Sequence, residues 1–405
     1  MNRLAALAAL ALLLPLSGCT GPAAEMDACW RDATPHLGTG PVARERASRV
    51  ADPTAAYQAM GYTGRDTKGT DRAAWPDLHG AKVTILDHGA FDYAFSAAKP
   101  LFEELTNGTV EHVAALDAGS MLERAITEKA RPSADVLYGL DNVLYGRAVD
   151  AGILQAYRPL LADRIEGPYL FAGRSAWFAT PVDHGYISVN LDPRSVPASF
   201  DTLGELVPIA DSVVTEDPRT SSVGLGFLVA TVAVFGEDCY LGYWKDMLEN
   251  GLLVTPDWTT AYATHFSGGY GQGGEGFVGD RPIVASYTTS PAYEQFYDAT
   301  KALNRNIVAP GSTFHQIQTM ALLKGGPGPD AAAQAWMEFT LTDAFQNLAA
   351  EYNAIYPVVA GLDVSSVYAG KDPTPGSFED AGFDAATLAA KADDWVRAWT
   401  DVYEA

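Results

Sequence analysis

The 405-residue chain is short of positive charge, of cysteine and of histidine. It carries 27 basic against 50 acidic residues, a formal net charge of −23, with three cysteines and seven histidines. No Lys/Arg run is present, so the electrostatic footprint of a nucleic-acid binder is missing and anionic lipid is repelled. His36, His79, His88, His112, His184, His265 and His315 include no pair at helical metal-ligand spacing and no His-Glu-x-x-His. There is no Gly-x-Ser-x-Gly nucleophile elbow. The glycine-rich stretch 268–279 does not end in Gly-Lys-Ser/Thr, so it is no phosphate loop and reads as a surface loop. These gaps argue against an enzyme, and no catalytic residue, cofactor or metal is expected. What is present is ample apolar material, 48% hydrophobic and 11% aromatic residues, enough for more than one core.

The N-terminus reads as an address. Arg3 precedes a Leu/Ala-rich run at 4–16 that is too short for a permanent membrane helix. Leu16-Ser17-Gly18-Cys19 then resembles a bacterial lipobox, which makes 1–19 a lipoprotein signal peptide and Cys19 the lipid attachment site. Several acyl chains at about 0.8 kcal/mol per buried CH₂ anchor firmly. The protein is therefore expected outside the cytoplasm, tethered to the membrane through lipid alone and monomeric. Residues 20–80 are rich in Ala, Gly, Pro and Thr and read as a tether plus an extension. Cys29 and Cys239 remain, and an oxidising compartment permits a disulfide that spacing alone neither requires nor excludes.

From Lys82 onward, short apolar runs alternate with helical patterns. Strands are expected at 83–86, 110–116 and 136–138, each followed by a helix, which is the signature of an α/β protein with a parallel sheet. Residues 183–190 alternate like an extended crossing strand, and Asn306 to Ala309 reads as the return crossing. The hydroxyls of Ser221 and Ser222 open an apolar helix reaching Phe235, where free N–H groups can face an anion. At the other end of the chain, Asp384 caps a helix whose Leu388, Ala392, Trp395, Trp399 and Val402 share one face and read as core.

One stretch stands apart. Residues 286–293, Ser-Tyr-Thr-Thr-Ser-Pro-Ala-Tyr, leave the apolar strand Ile283-Val284-Ala285 at the sheet edge where α/β proteins bind ligands. Pro291 also permits an ordinary polar turn. With Trp258, the stretch supplies aromatic faces and hydroxyls of the kind that cage a cation or a heteroaromatic ring.

Several pieces together resemble the thiamine-binding proteins of bacterial ABC importers. They are Ala134 to Asn142, Asp183-His184-Gly185-Tyr186, Asp217-Pro218-Arg219-Thr220-Ser221, Trp258 followed by Ala261-Tyr262, Ser286 to Tyr293, and Tyr356-Pro357-Val358, in order over about residues 82–405. The resemblance implies a two-lobe periplasmic-binding-protein-like fold of type II with two crossing hinge strands. It places the first lobe at 81–186 plus 303–405 and the second at 187–302. It implies capture of thiamine or its phosphate esters between the lobes and delivery to an ABC permease, without chemistry. By position it assigns Ala118, Gly119, Ser221, Ser222, Trp258, Tyr287, Thr288, Thr289, Ser290 and Tyr293 to the ligand, with His88, Asp117, Asp141, Asp183 and Tyr186 around them. Three departures stand out. His88 and Gly89 replace an aromatic–acidic pair, Ala118 with Asp117 beside it replaces an acidic residue, and Ala354 replaces a tryptophan. Other readings of the same residues are a binding protein for ferric ion, a polyamine or a related cationic heterocycle. A secreted thiamine-processing enzyme is a further one, although that chemistry needs a nucleophilic Cys beside an acid or base.

Overall fold

The computed structural model describes residues 29–33, 62–171, 177–196, 200–269, 278–297, 304–307, 311–364, 368 and 382–405. The leader with Cys19, most of the stretch 20–80 and residues 270–277 of the glycine-rich loop lie outside them.

The first alternation folds as expected into β1 (Lys82–Asp87), α1 (Asp92–Thr106), β2 (Thr109–Ala114), α2 (Ala118–Thr127), β3 (Val136–Asp141) and α3 (Tyr145–Asp150). β1 pairs in parallel with both β2 and β3. Such pairing needs a crossover long enough for a helix, which α1 and α2 supply. After the two-residue β4 (Leu154–Gln155), the chain crosses on β5 (Thr180–Leu191), where every side chain but Tyr186 is buried. The second lobe holds β6 (Val213–Glu216), α4 (Ser222–Phe235), α5 (Tyr240–Glu249), β7 (Leu253–Thr255), β8 (Ile283–Tyr287), α6 (Ser290–Tyr297) and β9 (Arg305–Ile307). β10 (Phe314–Leu323), α7 (Asp330–Phe339), α8 (Asp343–Asn353), β11 (Tyr356–Pro357) and α9 (Ala385–Tyr403) follow.

One sheet runs through the molecule in the order β2-β1-β3-β10-β5-β8-β6-β7. Its two ends are parallel, β2-β1-β3 and β8-β6-β7, and the antiparallel strands β10 and β5 join them. This is the two-lobe, type II architecture with two crossing strands. The return crossing is not made by β9, which holds Asn306 and Ile307, the described part of the expected stretch. Among the described residues β9 pairs with the second-lobe end of β5, while β10, absent from the sequence reading, spans Ile187 of β5 at one end and Val136 of β3 at the other. The reason is its composition. Gln316, Gln318 and Thr319 sit in a strand that is almost wholly buried, so neither an apolar run nor clean alternation marks it.

α4 is buried on every side, which explains its uniformly apolar sequence. α9 carries the predicted stripe, with Leu388, Ala392, Trp395 and Trp399 buried. Each such large side chain contributes about 1.5–3 kcal/mol. The stripe packs on the second lobe, Trp399 meeting Trp244 of α5 edge-to-face at 5.6 Å. The last helix therefore reaches across from the segment that follows the return crossing. Cys29 and Cys239 form a disulfide with a Cα separation of 5.5 Å. Beside it Trp30 packs edge-to-face on Phe235 and Tyr243, and its Nε1 donates to Asp246 at 3.1 Å. A piece of the N-terminal extension is thereby fixed to the second lobe. Among the described residues no single helix is long and apolar enough to cross a membrane.

Candidate functional site

The strand ends converge on a cleft between the lobes, about 580 Å³ in volume. β8 delivers Tyr287, and the turn into α6 adds Thr289, Ser290 and Tyr293. Trp258 and Thr259 come from the helical turn after β7. The first lobe contributes Gly89, Ala90, Asp92, Tyr93 and Ser96 from the loop after β1 and the start of α1, and Tyr352, Asn353 and Ala354 from the end of α8. Five aromatic rings thus face a space whose lining includes one carboxylate, Asp92, and no lysine or arginine. A larger hollow of about 830 Å³ lies by the disulfide, against Cys29, Gly236 and Phe383, and gathers none of the expected ligand residues.

The aromatic walls are held by their own hydrogen bonds. Trp258 stacks on Tyr262, centroids 4.8 Å apart at 15°, and its Nε1 donates to Ser286 Oγ at 2.9 Å. Ser286 Oγ and Ser290 Oγ are 2.8 Å apart. Tyr287 donates its phenol to Gln316 Oε1 at 2.6 Å. Burial pushes that phenol well up, and Asp117, Asp183 and Asp141 nearby push it further. Thr288 is fully buried, and its N–H donates to Tyr186 O at 2.8 Å, which ties the ligand stretch to the crossing strand.

Several acids are buried in the interior, and Asp117, Asp141 and Asp183 lie near the Tyr287 wall of the cleft. Asp141 Oδ1 accepts from the N–H groups of Val143 and Leu144, and burial raises its pKa to about 6. Asp183 accepts from Tyr138 at 2.7 Å and is likewise raised by burial to about 6, while its Oδ1 has no partner. Glu216, at the end of β6, has both carboxyl oxygens buried without a partner and is pushed well above the usual range. A buried carboxylate left unpaired is costly, and a cation nearby relieves it.

Asp117 joins the lobes. It caps α2 through Ala118 N–H at 2.7 Å, and the same carboxylate accepts from Ser222 N–H at 3.4 Å and Trp258 N–H at 3.3 Å. Beside it Gly119 N–H donates to Thr220 O at 3.0 Å. A Cβ on Gly119 would lie 2.6 Å from Thr220 O, so only glycine allows this approach. Burial raises Asp117, and the donated hydrogen bonds and the neighbouring His88 oppose that shift.

Of the sequence-assigned residues, Trp258, Tyr287, Thr289, Ser290 and Tyr293 line the cleft. Ala118, Gly119, Ser221 and Ser222 instead meet at the Asp117 contact, where Ser221 Oγ caps its own helix through Val223 N–H. His88 bonds Gln318 Oε1 at 3.0 Å and stacks on Tyr138. Tyr186 stacks on His315 at 4.5 Å in the crossing strands. Arg219 of the Asp-Pro-Arg piece is held by Asp217 and Glu404 and lies over Trp399 and Tyr403, so it clamps α9. The sequence reading missed Asp92, Tyr93 and Tyr352. The available signal was the acidic–aromatic pair Asp92-Tyr93, a few residues beyond His88-Gly89 at a helix start. One metal-like cluster occurs among the described residues, Asp87, Asp92 and His112, with ligand atoms within 4.8 Å. His112 is pushed up chiefly by its 2.8 Å bond to Asp87, which makes the cluster an ion pair sufficient in itself.

The fold is that of the periplasmic binding proteins. No protein-family model matches the chain. It is similar to the thiamine-binding periplasmic protein of Brucella abortus, 29% identical over 283 residues, covering 68% of this chain and 79% of that protein. The protein of the same name from Escherichia coli K12 is 29% identical over 306 residues, 74% of this chain and 86% of that one. The solved structure of a periplasmic thiamin binding protein superposes with a TM-score of 0.68 at 27% identity, over 80% of this chain and 97% of that chain. Iron uptake protein A2 of Synechocystis is 24% identical over 262 residues, 62% of this chain and 72% of that one.

Proposed function

We propose that the protein is an extracytoplasmic solute-binding component of an ABC importer, and that its solute is thiamine. The observation that carries this is the cleft lining: five aromatic rings, a single carboxylate and no cation, with the buried acids Asp117, Asp141 and Asp183 near its Tyr287 wall. A flat, positively charged heterocycle matches each element. Aromatic faces stack on the rings and attract the cation, at about 0.5–2 kcal/mol per cation–π contact. The buried carboxylates supply the countercharge. The similarity to thiamine-binding periplasmic proteins supports the same ligand class, and those relatives are binding proteins, in keeping with capture and release rather than catalysis. Closure about β5 and β10 would trap the solute for handover to a permease. Cys19 would hold the protein at the membrane through lipid.

Calorimetry of the purified protein with thiamine tests the reading. Saturable one-site binding is expected, and thiamine is expected to be recovered intact after overnight incubation. Absence of heat with thiamine, from protein with a native circular-dichroism spectrum, would remove thiamine from the claim. A ferric titration that produced a visible charge-transfer band would move it to iron.

A further inference from the structure

The chain reaches the second lobe before it reaches the first. Cys29 stands only ten residues beyond Cys19, and its disulfide lands on Cys239, the residue that opens α5. Trp30 beside it fills a socket made by the second lobe alone. Its buried ring meets Phe235 of α4 and Tyr243 of α5, and its Nε1 and the Arg31 guanidinium both donate to Asp246 Oδ2. Gly204 completes the socket: a Cβ there would lie 2.9 Å from the Trp30 ring, so any side chain would displace it. The first-lobe core takes up the chain much later, at Tyr62, which is buried and packs on Trp75 at 4.7 Å. Tyr62 is 43 residues beyond Cys19.

From this we infer that the Cys29–Cys239 bond and the Trp30 socket make the second lobe the membrane-leashed lobe. The inference rests on lipid attachment at Cys19, proposed above, and is independent of which solute is bound. A chain spans at most about 3.3–3.6 Å per residue, so Cys29 stays within roughly 36 Å of the lipidated residue, whereas a leash running to Tyr62 would allow roughly 150 Å. The short leash bounds the height of the second lobe above the membrane. Closure about β5 and β10 then moves the first lobe relative to a second lobe held near the permease.

The test is energy transfer from the full-length lipidated protein to acceptor-labelled phosphatidylcholine vesicles. A donor dye is attached through a clickable non-natural residue at exposed Glu249 of the second lobe or exposed Glu104 of the first, which leaves the cysteines untouched. Transfer from the Glu249 position is expected to exceed that from the Glu104 position. Twenty Gly/Ser residues inserted between Gly21 and Pro22 add an r.m.s. span of about 25 Å and are expected to lower Glu249 transfer roughly twofold. The same insert between Gly40 and Pro41, beyond the disulfide, is expected to leave it unchanged. Cys29→Ser with Trp30→Ala and Cys239→Ser, checked for a native circular-dichroism spectrum, is expected to lower it without any insert. Equal losses from the two inserts, no loss from the first, unchanged transfer in the folded triple variant, or stronger transfer from the Glu104 position each overturn the inference. Protein that fails to sediment with the vesicles overturns lipid attachment at Cys19 itself, and with it the leash.

Discussion

Tyr287 and Gln316 touch across a strand that separates them. Tyr287 ends β8 and Gln316 lies in β10, with β5 between, yet the phenol reaches Gln316 Oε1 at 2.6 Å. It does so over Gly185, whose missing side chain leaves the room: a Cβ there would sit 3.2 Å from the Tyr287 ring. A residue that lines the cleft is thereby fixed to a crossing strand. Replacing it separates two effects. Tyr287→Phe keeps the ring and loses the bond, so thermal stability is expected to fall by about 0.5–1.5 kcal/mol with thiamine affinity nearly retained. Tyr287→Ala also loses the stack and is expected to weaken thiamine by about 1–3 kcal/mol in calorimetry. Equal binding losses in the two variants would contradict a stacking role.

Gly119 is expected to report on closure alone. Gly119→Ala places a methyl against Thr220 O and Arg219 O of the other lobe, while alanine suits the helix in which it sits. Thiamine binding is expected to weaken by about 1.4 kcal/mol or more, tenfold, with the ligand-free melting temperature unchanged or higher. Small-angle scattering should show the compaction on thiamine addition reduced. A variant that binds and compacts like the wild type would mean the lobes do not need this contact.

The buried acids give a pH dependence with a definite sign. Asp183 is raised from 3.8 to about 6, so the folded protein holds this proton more tightly than the unfolded chain does. Its contribution to stability is complete below pH 3.8 and is lost as pH rises through about 6. Asp183→Asn keeps an acceptor for Tyr138 and cannot ionise. Without ligand, its stability relative to the wild type is expected to grow by about 1–3 kcal/mol between pH 4 and pH 8, measured by urea unfolding. With thiamine at pH 8 the advantage should shrink, because the bound cation compensates the wild-type carboxylate. A pH-independent difference would remove Asp183 from the account.

The disulfide should act on stability and not on the site. Cys29 and Cys239 are 210 residues apart in sequence and bind the extension to α4 and α5, away from the cleft-lining residues. Cys29→Ser with Cys239→Ser is expected to lower stability by about 2–5 kcal/mol while leaving thiamine affinity unchanged. A matching loss of affinity would show that the extension communicates with the cleft.

Much of this protein was legible before folding was considered. The alternation from Lys82 to Ala151 predicted a parallel α/β unit because helix and strand periods are local properties of the chain, and the apolar stripe of α9 predicted its buried face for the same reason. The aromatic and hydroxyl residues of 286–293 and Trp258 declared a binding chemistry by composition. Long-range partnership was not legible. β10 escaped detection because its glutamines are satisfied by groups distant in sequence, Tyr287 and His88 among them. The pairing of Cys29 with Cys239 stayed open for the same reason. The sequence placed Ser221 and Ser222 at a helix start able to hold an anion; only the tertiary structure decided that the anion is Asp117, since it takes two lobes meeting in space to bring a carboxylate to that helix.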